Sequence, residues 1–223
     1  SRCEGGSEIT TYDSLDESLG QARNNLYLAV KTWAALVSLE KIFTTQGKKE
    51  FAERAEERAR ACAKTCTAKY KSGEGYIPAV FENGNTSRII PAVEGLIYPW
   101  ITGDLDAVSP HGRFGEFVQT LKSHLETILV PGVCIDPDSG GWKLSSTSGN
   151  TWMSKIFINQ YVAERILKIE TDAWEEWDRI HAMWQKVSCR FTAATDQVSS
   201  TDGKDLGSRL YPRLVSAVLW MKY

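Results

Sequence analysis

Between Ser14 and Gly47 the chain carries a helix signal long enough to set the architecture around it. Ser14-Leu15-Asp16-Glu17 reads as a capping box, in which a hydroxyl and an acid three residues on satisfy each other's backbone donors. Behind it Ala22, Leu26, Ala29, Trp33, Leu36, Val37 and Leu39 recur at helical spacing until Gly47, a residue type that ends helices in a left-handed turn. These positions cover much of the helix circumference instead of one stripe, so the helix needs cover on more than one side. It belongs to an inner layer.

The following segments alternate with it in character. Residues 48–71 predict a second helix with Phe51, Ala55, Ala59, Cys62 and Cys66 on one stripe and mixed charges elsewhere, the pattern of an outer, half-solvated helix. A third starts at Pro91 and is bent or ended by Pro99; a fourth follows Ser109-Pro110 and carries Phe114, Phe117, Val118, Leu121, Leu125 and Ile128. A fifth runs from about Trp152 to Ile169, a sixth holds Trp174, Trp177, Ile180, Trp184 and Val187, and a short apolar segment follows Tyr211. The expected fold is all-α, with inner helices near 15–46, 91–102 and 151–169 and outer ones near 48–71, 111–129 and 172–190. Two long loops, 72–90 and 130–151, carry aromatic and polar residues and stand where inner helices begin. That order predicts half of a twelve-helix toroid. No repeat of about 34 or 40 residues is visible, which argues against a simple solenoid.

Composition removes several function classes. With 26 Lys and Arg against 28 Asp and Glu and 42% hydrophobic residues, the chain is a near-neutral folding sequence and no wrapper of nucleic acid. Charges interrupt the apolar stretches, as Lys31 does after Leu26 to Val30, so no membrane span is expected. The opening residues Ser1 to Gly6 do not read as a signal peptide, and without an initiator Met an upstream natural start is an expectation. Five cysteines, an odd number in a chain of this size, predict no disulfide framework, and reduced cysteines favour the cytoplasm. Cys62 and Cys66 lie one helical turn apart with no His nearby and read as core filling; His111, His124 and His181 lack metal-ligand spacing. No metal and no cofactor are expected.

Three places could carry chemistry. If Ser14 caps the first helix, Asp13 stands just before it with its carboxylate free of capping duty and Thr11 and Tyr12 alongside; it is either a positioned acid or one more carboxylate favoured by the helix dipole. Asp16 and Glu17 are ordinary first-turn acids. Glu82, Asn83, Asn85 and Arg88 beside Tyr76 and Phe81 combine two-point polar groups with flat apolar faces, which suits sugar hydroxyls and the C–H face of a sugar ring. Trp142-Lys143 with Asn150 and Trp152 forms either a similar surface or a glycine-rich turn anchored by two tryptophans, and Ser145 to Gly149 read as turn.

Long stretches resemble the bacterial β-xylosidases of glycoside hydrolase family 52: Ile9 to Asp16, Leu19 to Lys31, Ile77 to Asn85, Ser87 to Ala92 and Gly141 to Ser148. The resemblance runs over almost the whole chain. It implies a retaining, exo-acting enzyme of β-1,4-xylo-oligosaccharides, built from an N-terminal β-sandwich and a C-terminal (α/α)6 barrel, of which residues 1–223 would be the second half of the barrel. On the same ground Asp13 falls at the general acid/base, and Thr11, Tyr12, Glu82, Asn83, Arg88, Trp142 and Lys143 are expected to contact the substrate. The glutamate nucleophile of such enzymes lies upstream, and no residue here matches it. The chain alone is therefore expected to be inactive and to need the remainder of its polypeptide, with room for a homodimer. Two other readings stand beside this one: a different retaining exo-β-glycosidase such as a β-glucosidase, and a non-catalytic helical carbohydrate-binding or interaction module if nothing supplies the nucleophile.

Overall fold

The computed structural model describes residues 24–82, 84–188, 195–208, 216 and 218–221. Among them the chain is mainly helical: α1 (Leu26–Thr45), α2 (Lys49–Ala68), a 3₁₀ segment Ile90–Leu96 running into α3 (Ile97–Ile101), α4 (Gly115–Ile128), α5 (Met153–Tyr161) and α6 (Trp174–Ser188). α1 and α5 each pack on the Ile90–Ile101 segment, α2 packs on α1, and α4 touches both α2 and that segment.

Small residues explain the close α1/α2 hairpin. Gly47, at φ +68°, closes the turn after α1, and α2 turns Ala52, Ala55, Ala59, Cys62, Ala63 and Cys66 inward, so the two backbones approach until the Cys62 thiol reaches the Ala29 carbonyl. Phe51, expected on that stripe, is instead 51% exposed and stacks on Phe43 at 5.4 Å; the inward face admits alanine there, not a ring. Trp33 fills the centre, with Phe114 edge-on at 5.4 Å and Phe117 at 5.0 Å joining α1 to the start of α4. All seven residues of Ile90–Leu96 are buried, and Gly95 permits this: a Cβ there would lie 2.7 Å from Val30 Cγ1 and 2.9 Å from the Val30 carbonyl oxygen.

Several boundaries differ from the periodicity, each for a tertiary reason. Helix α1 begins at Leu26, not near residue 15, because Asn24 has φ +44° and Asn25 is extended. The backbone there pairs sideways: Leu26 N–H donates to Ala79 O at 2.9 Å and Phe81 N–H to Asn24 O at 3.2 Å, while Asn25 caps Leu28 N–H. The capping box at Ser14 lies outside the described residues. The second inner element is mostly 3₁₀, and α4 starts at Gly115 because residues 109–114 are spent in turns. Helix α5 widens into a π turn at Val162–Ile166 and ends where Lys168 takes φ +51°.

The all-α expectation also needs correction for a small antiparallel sheet of β1 (Asn150–Trp152), β2 (Gln197–Ser199) and β3 (Asp205–Gly207), with Thr151 opposite Val198. The sheet is peripheral: Val198 joins Met153, Ile180 and Trp184 in a satellite cluster against α6. Strands of three residues drawn from a Ser, Asp and Gly-rich stretch carry too little alternation to be read from sequence.

Candidate functional site

The loop 69–90 is a closed arch. Gly75, at φ +78°, turns the chain where a Cβ would sit 2.6 Å from Thr127 Oγ1, and Lys71 N–H closes on Tyr76 O at 2.9 Å. Beyond Tyr76 the arch rises through Ala79, whose N–H reaches Ser87 O at 2.8 Å, to a tip in which Asn85 N–H donates to Glu82 O at 3.1 Å and Asn85 Oδ1 accepts from Ser87 N–H at 3.1 Å. The Glu82 carboxylate at this tip accepts from Asn24 Nδ2 at 2.9 Å, so it is held against the residues that lead into α1. The Arg88 guanidinium lies 4.3 Å from the centre of the fully buried Tyr76 ring, a stacking contact that fixes its plane.

The second loop is sewn to the first. Arg88 N–H donates to Ser146 Oγ at 3.1 Å, Ser146 N–H to Arg88 O at 2.9 Å, and Ile90 N–H to Leu144 O at 2.9 Å. The Cys134 thiol also reaches Arg88 O, and burial pushes its pKa up to about 12 against the opposing pull of Lys143 and Arg88. Both cations therefore act on one neighbourhood. Glu82, Arg88 and Lys143 have no oppositely charged side chain at ion-pair distance among the described residues, and the Arg88 Nε is buried without a hydrogen-bond partner.

Trp142 sits differently from the expectation of a ring facing sugar. It is 0% exposed and enclosed by Trp177 at 5.3 Å, Trp174 at 6.3 Å and His181 at 6.3 Å, so it anchors its turn in the core. Its neighbour Gly141 shows why the turn fits: a Cβ would fall 2.1 Å from the Trp184 ring. Thr11, Tyr12, Asp13 and Asn83 lie outside the described residues.

Two features were not singled out from sequence. Glu94, 2% exposed in the Ile90–Leu96 segment, receives Lys31 Nζ of α1 at 2.7 Å and Lys155 Nζ of α5 at 2.7 and 3.0 Å, and Lys155 also donates to Tyr27 Oη at 2.8 Å. Burial pulls the Lys31 pKa down, but the Coulomb attraction and hydrogen bond of Glu94, with help from Tyr27, outweigh it and hold the ammonium above the ordinary lysine range. The cluster joins all three inner elements near the ends where the two loops enter. A signal existed: Glu94, Lys31 and Lys155 are each a lone charge in an apolar run. The second feature is a pair of buried imidazoles, His124 and His181, each hydrogen-bonded to a loop backbone.

Among the described residues no group of three or more His, Cys, Asp or Glu side chains is placed to hold a metal ion, and no helix is long and apolar enough to cross a membrane. No family model matches the chain. It is, however, 48% identical over 226 residues, 99% of its own length, to a β-xylosidase of Geobacillus stearothermophilus. It spans 31% of that relative. Identity at this level along the entire chain makes the two homologous over the shared stretch, and the resemblance to bacterial β-xylosidases stands on it.

Proposed function

We propose that this chain is the acid/base-bearing C-terminal part of a retaining, exo-acting β-xylosidase of glycoside hydrolase family 52, cleaving β-1,4-xylo-oligosaccharides from the non-reducing end. The observation that carries the reading is the 48% identity to a β-xylosidase across 99% of the chain, which includes both loops. The geometry supports it. Glu82 is held by Asn24, eleven residues after Asp13, and Arg88 and Lys143 belong to the two loops that are hydrogen-bonded to each other. Asn83 follows Glu82 in sequence, Thr11 and Tyr12 precede Asp13, and Trp142 serves the site by anchoring the turn that carries Lys143.

In this mechanism two carboxyl groups about 5 to 5.5 Å apart share the work: one attacks the anomeric carbon while the other protonates the leaving oxygen and then activates water. Asp13 is the proton carrier, and the nucleophile comes from the remainder of the polypeptide. Desolvation beside Tyr12 and repulsion from the nucleophile raise the Asp13 pKa and keep the proton in place. The half-toroid reading agrees with α1, where Leu28, Leu39 and Ile42, all at least 37% exposed, align on one face with Ala35, a seam for the helix that would precede it in a closed ring. The free, buried Cys134 agrees with a reducing compartment such as the cytoplasm.

The test uses the full-length enzyme. Asp13→Ala should lower xylobiose turnover about 10²- to 10⁴-fold while sparing the first step on aryl β-xylosides, whose leaving phenolate needs little protonation. Azide, which needs no deprotonation, should then restore turnover as β-xylosyl azide. Asp16→Ala, which removes a nearby carboxylate of no assigned catalytic role, is the matched control. Equal modest losses in the two variants, or no azide rescue of Asp13→Ala, would remove the assignment.

A further inference from the structure

The sugar-contacting role proposed for Glu82 and Arg88 requires that their arch keep one shape, and its shape is set from behind. His124 on α4 is fully buried, and both of its ring nitrogens are engaged by the arch. Ile77 N–H donates to Nδ1 at 3.0 Å, and Nε2 lies 3.0 Å from the Ile89 carbonyl oxygen. A carbonyl only accepts, so Nε2 carries the hydrogen and Nδ1 the lone pair. One tautomer satisfies both contacts, and no other does.

We propose that His124 is the positioning residue of the 76–90 arch: the Nε2–H imidazole ties the two backbone limbs together and thereby sets where Glu82 and Arg88 stand. Ile77 and Ile89 are twelve residues apart in sequence yet meet on one ring, and each is the immediate neighbour of a partner in the stacked pair Tyr76 and Arg88. The 4.3 Å stacking distance is therefore framed by the tie on both sides. Above it, Ala79 N–H to Ser87 O is the one backbone bond between the limbs before the tip turn. Arg88 is the charged group that acts on the ring, and it disfavours an imidazolium there, as burial does more strongly. The device occurs twice. On α6, His181 accepts Trp142 N–H at its Nε2 at 3.1 Å, and its Nδ1 faces Gln160 Oε1 at 3.1 Å, so the opposite tautomer holds the turn before Lys143. Each of these two helices thus grips one loop through an uncharged ring.

The experiment compares His124→Asn, His124→Gln and His124→Phe in the full-length enzyme. Asn retains an acceptor near Nδ1, Gln a donor near Nε2, and Phe the ring without either. Hydrogen–deuterium exchange is followed in peptides from 76–90, with α1 peptides as the internal reference, alongside KM and kcat for an aryl β-xyloside. His124→Phe is expected to speed exchange in 76–90 by roughly tenfold or more while α1 stays protected. It should raise KM about 10-fold or more, with kcat changed less than about 3-fold, the signature of lost uniform binding. His124→Asn and His124→Gln should each recover part of both effects, and they carry the same two readouts if the Phe variant does not accumulate. Unchanged exchange in 76–90, or faster exchange spread evenly over the chain, overturns the tie. Local loosening with unmoved KM and kcat overturns the positioning role by taking Glu82 and Arg88 away from the substrate. The exchange readout needs no activity, so a failure of the xylosidase reading is told apart from a failure of the tie.

Discussion

Glu94→Gln should be among the most damaging isosteric changes this chain can suffer. The wild-type cluster holds two ammonium groups and one carboxylate, with Lys31 Nζ and Lys155 Nζ both 2.7 Å from its oxygens and the carboxylate 2% exposed. At an effective dielectric constant of 20, each such contact is a gross attraction of about 6 kcal/mol, most of it offset by the desolvation of both partners. Gln keeps the shape and removes the charge, so two cations then face each other with nothing between them. Removing one partner of a buried pair costs about 3–5 kcal/mol; the lysines are 27% and 18% exposed and can draw in water, which places this site near the lower end. The expected loss is about 3 kcal/mol, read from urea unfolding followed by tryptophan fluorescence. The sharper test is a reversal. Lys31→Met alone leaves Glu94 paired with Lys155 and should cost little, and added to Glu94→Gln it removes one of the two stranded cations and should recover about 1 kcal/mol or more. A Glu94→Gln loss of about 0.5 kcal/mol or less, the scale of an exposed ion pair, or a double variant weaker than the single one, would refute the reasoning.

The histidines predict an acid-side dependence. Burial lowers the pKa of His124 to about 4 and of His181 to about 3, below the ordinary 6.5, so below pH 6.5 the unfolded chain takes up protons that the folded one refuses. Stability should fall as pH drops from 6.5 toward 4, by about 2 kcal/mol per ring at pH 5, and stay flat with respect to these groups above about pH 7.5. Urea midpoints at pH 7.5 and 5 should show about half of the two rings' combined loss removed in His124→Asn, and an unchanged difference would refute the assignment. Gly95→Ala should cost about 1–3 kcal/mol, because its methyl meets Val30 Cγ1 and the Val30 carbonyl of α1, and relief requires the Ile90–Leu96 segment to move off that helix. A urea midpoint equal to that of the unsubstituted protein would show that the segment is not closely packed.

Local chemistry determined a good deal by itself. Helical periodicity placed α2, α4 and α6 to within a few residues, Gly47 ended α1 where a positive φ was needed, and aromatic and polar composition between the helices marked both long loops. The polar and aromatic composition of the two loops was legible as well, while their joining through Arg88 and Ser146 was not. Tertiary structure decided the rest. Helix α1 starts at Leu26 because a carbonyl at Ala79 takes its N–H, and no pattern near residue 26 announces that. Trp142 went into the core, while its local context served equally for a ring facing a sugar, because the choice belonged to Trp174, Trp177 and His181 on another element. His124 bridges sequence separations of 47 and 35 residues, and Lys155 reaches Tyr27 across 128. Propensity and periodicity are short-range energies between neighbours on one element, so they determine which elements form. The partner of a buried polar group is decided by the large desolvation cost of leaving it unpaired, and only the assembled core sets which distant group is near enough to prevent that.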